Sequence, residues 1–330
     1  ILMMSVPTLL MALLPTYASV GLLPPMALLV LRILQGAAVG GEVPGAWVFV
    51  SEHVPRRHVG YACGTLTAGL TAGILLGSLV ATGINAVFDP QELVDHGWRV
   101  PFVLGGVFGV GSMYLRRWLH ETPVFAELQQ RKALAAELPL KTVVRDHRGA
   151  VVISMLLTWM LSAGIVVVIL LTPTYLQTLY GFDARTALVA NSAATLCLSI
   201  GCVVAGILAD RIGARLTLSI GGALLAATAY VLYTTIGTRP DLLLPLYALA
   251  GFFVGTIGAV PYVLVHAFPA QVRFSGLSFS YNVSYAIFGG LTPVIVSLML
   301  KNDSLAPAHY VVGVCIMGIV TALFVRKRHA

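Results

Sequence analysis

The stretch RILQGAAVGGEVPGAWVFVSEHVP, residues 32 to 55, places Arg32, Gln35 and Glu42 in otherwise apolar surroundings. A charge near the middle of a membrane helix costs roughly 2.5 to 3.5 kcal/mol on insertion scales, so each of these groups needs a partner or a task. At 3.6 residues per turn, Gln35 and Glu42 share nearly one helix face, and Arg32 is offset from Gln35 by about 60°. A guanidinium on that face grips a carboxylate through its planar fork. A desolvated carboxylate with a raised pKa can take up and release a proton. Paired with neighbouring helices, the same residues would be structural glue, and both roles are open on the residues alone. Asn282, inside YNVSYAIFGG, is an amide that must find a partner or line a cavity. His266 could sense pH, or simply cap the carbonyls of its helix. The eight His residues show no H-E-x-x-H spacing, and there is no G-x-S-x-G elbow and no P-loop, so neither enzyme chemistry nor a cofactor is expected.

These residues must be positioned by membrane helices. Of the 330 residues 58% are hydrophobic and 10% charged, with a mean hydropathy of +0.90. Ten apolar stretches are long enough to predict spans, centred on 1–20, 25–50, 60–86, 99–118, 150–176, 186–208, 216–236, 242–265, 274–299 and 308–325. An all-α membrane protein follows. If the first span runs outward, fifteen of the twenty Lys and Arg fall on the inner side. Arg185, Arg239 and Lys301 fall outside, Arg99 lies at a boundary and Arg32 within a span. The net charge of +7 is therefore topology, and scattered loop arginines exclude a nucleic-acid surface. Cys63, Cys197, Cys202 and Cys315 all fall in spans and are expected to pack as free thiols.

The charged connection at 119–148 divides four spans, 1–118, from six, 149–330. The segment 36–60 can be laid on 251–276: each opens with G-x-x-x-G, holds a Pro within the helix, and has a polar residue three before a second Pro, then Arg and Gly. Glu52 and Arg57 thereby find counterparts in His266 and Arg273. The pairs Gly36/Gly40 and Gly41/Gly45 are expected to admit a neighbouring backbone.

In order along the chain, R-x-x-Q-G-x-x-x-G-G-E (32–42), SEHVPRRHVG, GWRVPF (97–102), ETPVF (121–125), GILADRIGAR (206–215) and FPAQVRFSGLSFSYNVSYAIFGGLTP (268–293) resemble the metabolite:proton symporter branch of the major facilitator superfamily. Relatives in that branch include permeases for proline and betaine, α-ketoglutarate, shikimate and citrate. The resemblance runs from the family's third helix to its twelfth. It implies a two-lobe helical bundle with ten of twelve transmembrane helices present, two more being expected upstream of Ile1. Without them the chain is not expected to transport.

The resemblance also implies symport of a proton with a small organic acid or zwitterion by alternating access, in a monomer whose partners are substrate, proton and lipid bilayer. The bilayer would be a bacterial inner membrane with the C-terminus cytoplasmic. GILADRIGAR matches the superfamily loop signature, which makes Asp210, Arg211 and Arg215 gating residues, joined at the inner ends by Glu52, Arg57 and Arg273. Arg32, Gln35, Glu42 and Asn282 are the candidates for substrate and proton. An integral-membrane sensor or channel, or a fragment that does not transport, is the alternative.

Overall fold

The computed structural model describes residues 2–115 and 139–325. Most of the 119–148 connection therefore lies outside the described residues, as do Arg116, Arg117, Arg131, Lys132 and the basic tail 326–328.

Every regular element among the described residues is helical. The principal helices are α1 (Leu2–Ala12), α2 (Leu23–His53), α3 (Val59–Val87), α4 (Val100–Leu115), α5 (Pro139–Asp146), α6 (Arg148–Thr178), α7 (Ala184–Ile212), α8 (Ala214–Thr235), α9 (Pro240–Ala267), α10 (Arg273–Met299) and α11 (Ala306–Leu323). Eight of them are long and apolar enough to cross a membrane. Of the ten expected spans, the first is represented by α1, with 11 residues, and the fourth by α4, with 16 described residues. Local chemistry sets several ends. The Asp183 carboxylate accepts the Thr186 backbone N–H at 2.8 Å and its hydroxyl at 2.7 Å, capping α7. Gly213 turns the chain between α7 and α8 at φ +88°, a conformation other residues rarely adopt.

The Thr186 bonds hold the Asp183 carboxyl below its ordinary pKa. A depressed folded-state pKa contributes stability above the unfolded value, near 4, that is lost as pH falls through the folded one. Asp183→Asn is therefore expected to flatten the acid limb of the stability curve below about pH 4 and leave pH 7 to 8 unchanged in slope. Thermal melts across that range check this.

The chain divides into two compact units. The first comprises residues 1–43 and 80–121, in which α1 packs along α4. Arg99 donates to the Ala12 carbonyl at 2.6 Å, closing the end of α1. The second comprises 44–79 and 122–330. Its core is α7 against α8 and α9, with α8 on α11 and α6 on α10. Gly251, Gly255 and Gly258 of α9 lie on the backbone of α7 around Ala194, Gly201 and Cys202, where a Cβ would collide. The small α5 buries Val143 with Val151, Phe268 and Val272.

The α3–α7 seam is antiparallel and keeps one register throughout. Gly60 meets Gly206 and Asp210, Gly64 meets Cys202 and Gly206, Thr71 bonds Ser199 at 2.8 Å and Ser78 bonds Ser192 at 2.9 Å. Cβ atoms at Gly60 and Gly64 would stand 2.5 Å from the Gly206 and Cys202 carbonyl oxygens, so only glycine permits this approach.

Two helices leave the α register. Residues Gly164–Leu171 of α6 and Tyr285–Gly289 of α10 are π-helical. Each is followed by Leu-Thr-Pro, at 171–173 and 291–293. In a π register the carbonyls of Val168 and Phe288 look to the N–H five residues on, which Pro173 and Pro293 lack. Thr292 replaces the missing donor at Phe288 O, at 2.5 Å, and Thr172 donates to Val167 O, the neighbour of Val168 O, at 2.9 Å. Each hydroxyl also meets a tyrosine, Tyr233 at 2.6 Å and Tyr310 at 2.7 Å. In a bilayer every freed carbonyl needs such a replacement.

Candidate functional site

In the first unit, Arg32 Nη1 donates to Gln35 Oε1 at 3.3 Å, and Gln35 Nε2 to Thr8 Oγ1 at 2.6 Å, which itself donates to Met4 O at 2.7 Å. The polar face of α2 is thus tied to α1 through Gln35, leaving the exposed Arg32 guanidinium with donors to spare. Glu42 is half-buried, two residues before Pro44, where α2 passes into the second unit. At Gly36 and Gly41 the expected close backbone approach is not formed, since nothing lies within 4 Å of a Cβ at either, and Gly45 meets only the Phe274 ring, at 3.4 Å. Asn282 is half-buried in α10, and its amide donates to Ser278 O of its own helix at 2.7 Å. It belongs to the second unit and Arg32, Gln35 and Glu42 to the first.

The gating candidates resolve into two latches, both within the second unit. Arg273 Nη1 meets Glu52 Oε1 at 2.8 Å, and the Glu52 side chain is only 7% exposed. The Asp210 carboxylate accepts the backbone N–H of Gly60 through Oδ1 and of Tyr61 through Oδ2, both at 2.7 Å. These are first-turn amides of α3, with no partner inside the helix, and the positive helix end favours an anion. A salt clasp of Asp210 with its own loop arginines is not formed: Arg211 and Arg57 are exposed, Arg215 is half-buried, and none of the three bonds to Asp210 or Glu52.

His266, the counterpart of Glu52, meets a carbonyl and a ring of its own helix. Its Nδ1 sits 2.7 Å from Tyr262 O and its ring lies against Tyr262, just as His53 meets the carbonyl and ring of Phe49. Trp159 donates to Tyr310 at 3.0 Å and stacks on Phe288 at 4.1 Å. Tyr175, near the end of α6, is buried at 6% exposure. Thr172, Tyr233 and Tyr247 escaped the sequence reading; the mid-span Thr-Pro pair was the signal for the first.

The Major Facilitator Superfamily model matches residues 1–293. A putative proline/betaine transporter of Staphylococcus aureus (strain COL) is 28% identical over 328 residues, covering 98% of this chain and 70% of the relative. The citrate-proton symporter of Klebsiella pneumoniae is 28% identical over 332 residues, 99% and 74% of the two chains. The proline/betaine transporter of Salmonella typhimurium is 29% identical over 344, 99% and 68%. Among solved structures, the proton:xylose symporter XylE bound to 6-bromo-6-deoxy-D-glucose superposes with a TM-score of 0.74 at 19% identity, over 97% of this chain and 79% of that one, which establishes the shared fold. The chain belongs to the Major Facilitator Superfamily and is a secondary active transporter, not an enzyme.

Proposed function

We propose that this protein carries a small carboxylate or zwitterion, an organic acid, amino acid or betaine, inward together with a proton. The polar face of α2 supports this reading most: Arg32 keeps guanidinium donors free of Gln35, and Glu42 stands on the same side of the helix. The curated relatives named for proline/betaine and for citrate share a carboxylate-bearing cargo. Arg32 grips the carboxylate and Glu42 takes up the coupling proton, with Asn282 contributing from the later helices. The protein is a monomer in a bacterial inner membrane, with lobes at 1–118 and 149–330 joined by a cytoplasmic connection and with its C-terminus inside. Asp210 and the Glu52–Arg273 pair hold the inner ends together in one state and release them in the other.

A panel of proline, betaine, α-ketoglutarate, shikimate and citrate in a thermal-shift assay tests the cargo, because a ligand raises the melting temperature by mass action and a non-ligand does not. Whichever compound responds is then used for uptake into liposomes that carry the full-length protein. Glu42→Gln is expected to abolish proton-driven accumulation while substrate exchange survives within a few-fold, since exchange need not cycle the proton. Wild-type proton stoichiometry in that variant would remove Glu42 from the role.

A further inference from the structure

The second unit holds a chain of buried polar groups that the latches and the α2 face do not use. Tyr247 of α9 is fully buried, and its hydroxyl lies 2.7 Å from Val168 O and 2.6 Å from the amide oxygen of Asn191, as that amide is oriented. A tyrosine hydroxyl has one proton, and both neighbours are acceptors. One short contact would therefore be left without a hydrogen. Val168 sits in the π stretch, where Pro173 cannot supply the backbone donor, so its carbonyl has the stronger claim on the tyrosine proton. Turning the Asn191 amide about its terminal bond removes the conflict. The nitrogen then donates to Tyr247 instead of to Ser78, Tyr247 donates to Val168, and Ser78 Oγ, 3.4 Å away, turns its proton to the amide oxygen while accepting from Ser192. Ser78 is the outer end of the α3–α7 seam, bonded to Ser192 at 2.9 Å.

We propose that Asn191 is a positioning residue of the transport cycle, its amide nitrogen committing the Tyr247 proton to Val168 O and so coupling the α3–α7 seam to the π stretch of α6. While Ser78 lies against the amide oxygen, the nitrogen is held on Tyr247. When the outer end of the seam parts, the oxygen loses that neighbour, the amide is free to turn, and the Val168 carbonyl loses its donor. The π stretch then gives up its register. Asn191 touches neither substrate nor proton in this scheme; it reports the state of one helix pair to a third helix. The inference goes beyond the cargo and proton assignments above, and its first readout needs no substrate.

Hydrogen–deuterium exchange on the purified full chain tests it. Tyr247→Phe removes the proton and is expected to speed amide exchange in 164–173 about tenfold. Adding Pro173→Ala restores a backbone N–H five residues after Val168 and is expected to return exchange to within about twofold of wild type. A pure packing role for the Tyr247 hydroxyl has no reason to be rescued there. Asn191→Asp replaces the donor by an acceptor and is expected to match Tyr247→Phe, and Ser78→Ala to give the same effect at smaller amplitude. In liposome uptake, Asn191→Asp is expected to lower kcat with KM within twofold. Unchanged exchange in both Tyr247→Phe and Asn191→Asp overturns the proposal, and so does failure of Pro173→Ala to rescue. Wild-type exchange in Ser78→Ala removes the coupling to the seam.

Discussion

Asp210→Asn is expected to slow turnover tenfold or more while leaving apparent substrate affinity within about twofold. The carboxylate spends both oxygens on the N–H groups of Gly60 and Tyr61, each at 2.7 Å. Charge-assisted bonds of this kind are worth roughly 1.5 to 3 kcal/mol, and the helix end adds up to about 1 kcal/mol for a negative group. Asparagine keeps one acceptor, loses the charge and turns an NH2 toward a row of donors. The state that depends on this contact is depopulated, and the cycle must cross it without the carboxylate. Gly60→Ala should reproduce the phenotype by a different route. Its Cβ would stand 2.7 Å from Asp210 Oδ1 and 2.5 Å from Gly206 O, so the carboxylate cannot stay seated. Initial-rate uptake over a substrate series separates kcat from KM in both variants. Normal turnover with weakened affinity would place Asp210 in binding rather than in the latch.

The Glu52–Arg273 pair is expected to give the second large effect. Glu52 is almost fully buried and the Arg273 side chain is 22% exposed, so Glu52→Gln leaves a mostly desolvated guanidinium without its counter-charge. Removing one partner of a buried pair costs about 3 kcal/mol or more, mainly through the orphaned charge. Arg273 is poorly placed to absorb this, because its Nε is already buried without a partner. Glu52→Gln should lower the melting temperature by several degrees and slow transport. The charge-swapped pair Glu52→Arg with Arg273→Glu should recover at least half of each loss. A double variant no better than Glu52→Gln would mean that the local packing matters and the ion pair does not.

The helices, their apolar character and the family were legible because each follows from short-range pattern. The loop signature located Asp210, Arg211 and Arg215, and Gly213 between them turns the chain at a positive φ. The partner of Asp210 was not legible, since backbone amides at Gly60 and Tyr61, about 150 positions away, leave no mark in side-chain chemistry. G-x-x-x-G was an ambiguous sign for the same reason. Gly251 and Gly255 meet the α7 backbone closely, while Gly36 and Gly41 have open space beside them, and the motif reads alike in both. The π stretches were missed because hydropathy does not distinguish 3.6 residues per turn from a wider helix. Leu-Thr-Pro in mid-span, twice, was the readable sign. Asn191 and Tyr247 were hidden by burial, which makes a hydrogen-bonded core amide look like any polar residue in an apolar run.

The single register of the α3–α7 seam makes it intolerant of a change in length as well as of a change in residue. Inserting one residue near Leu70 would rotate everything beyond it by about 100° and advance it by about 1.5 Å. Gly60 and Gly64 would still fit the Gly206 surface, but Thr71 and Ser78 would swing away from Ser199 and Ser192, with Gly77 taking the place of Ser78. An insertion of a whole turn would restore the facing but slide the hydroxyls one partner along. The residue count of this helix pair is therefore fixed as tightly as the spacing of teeth on two meshed racks.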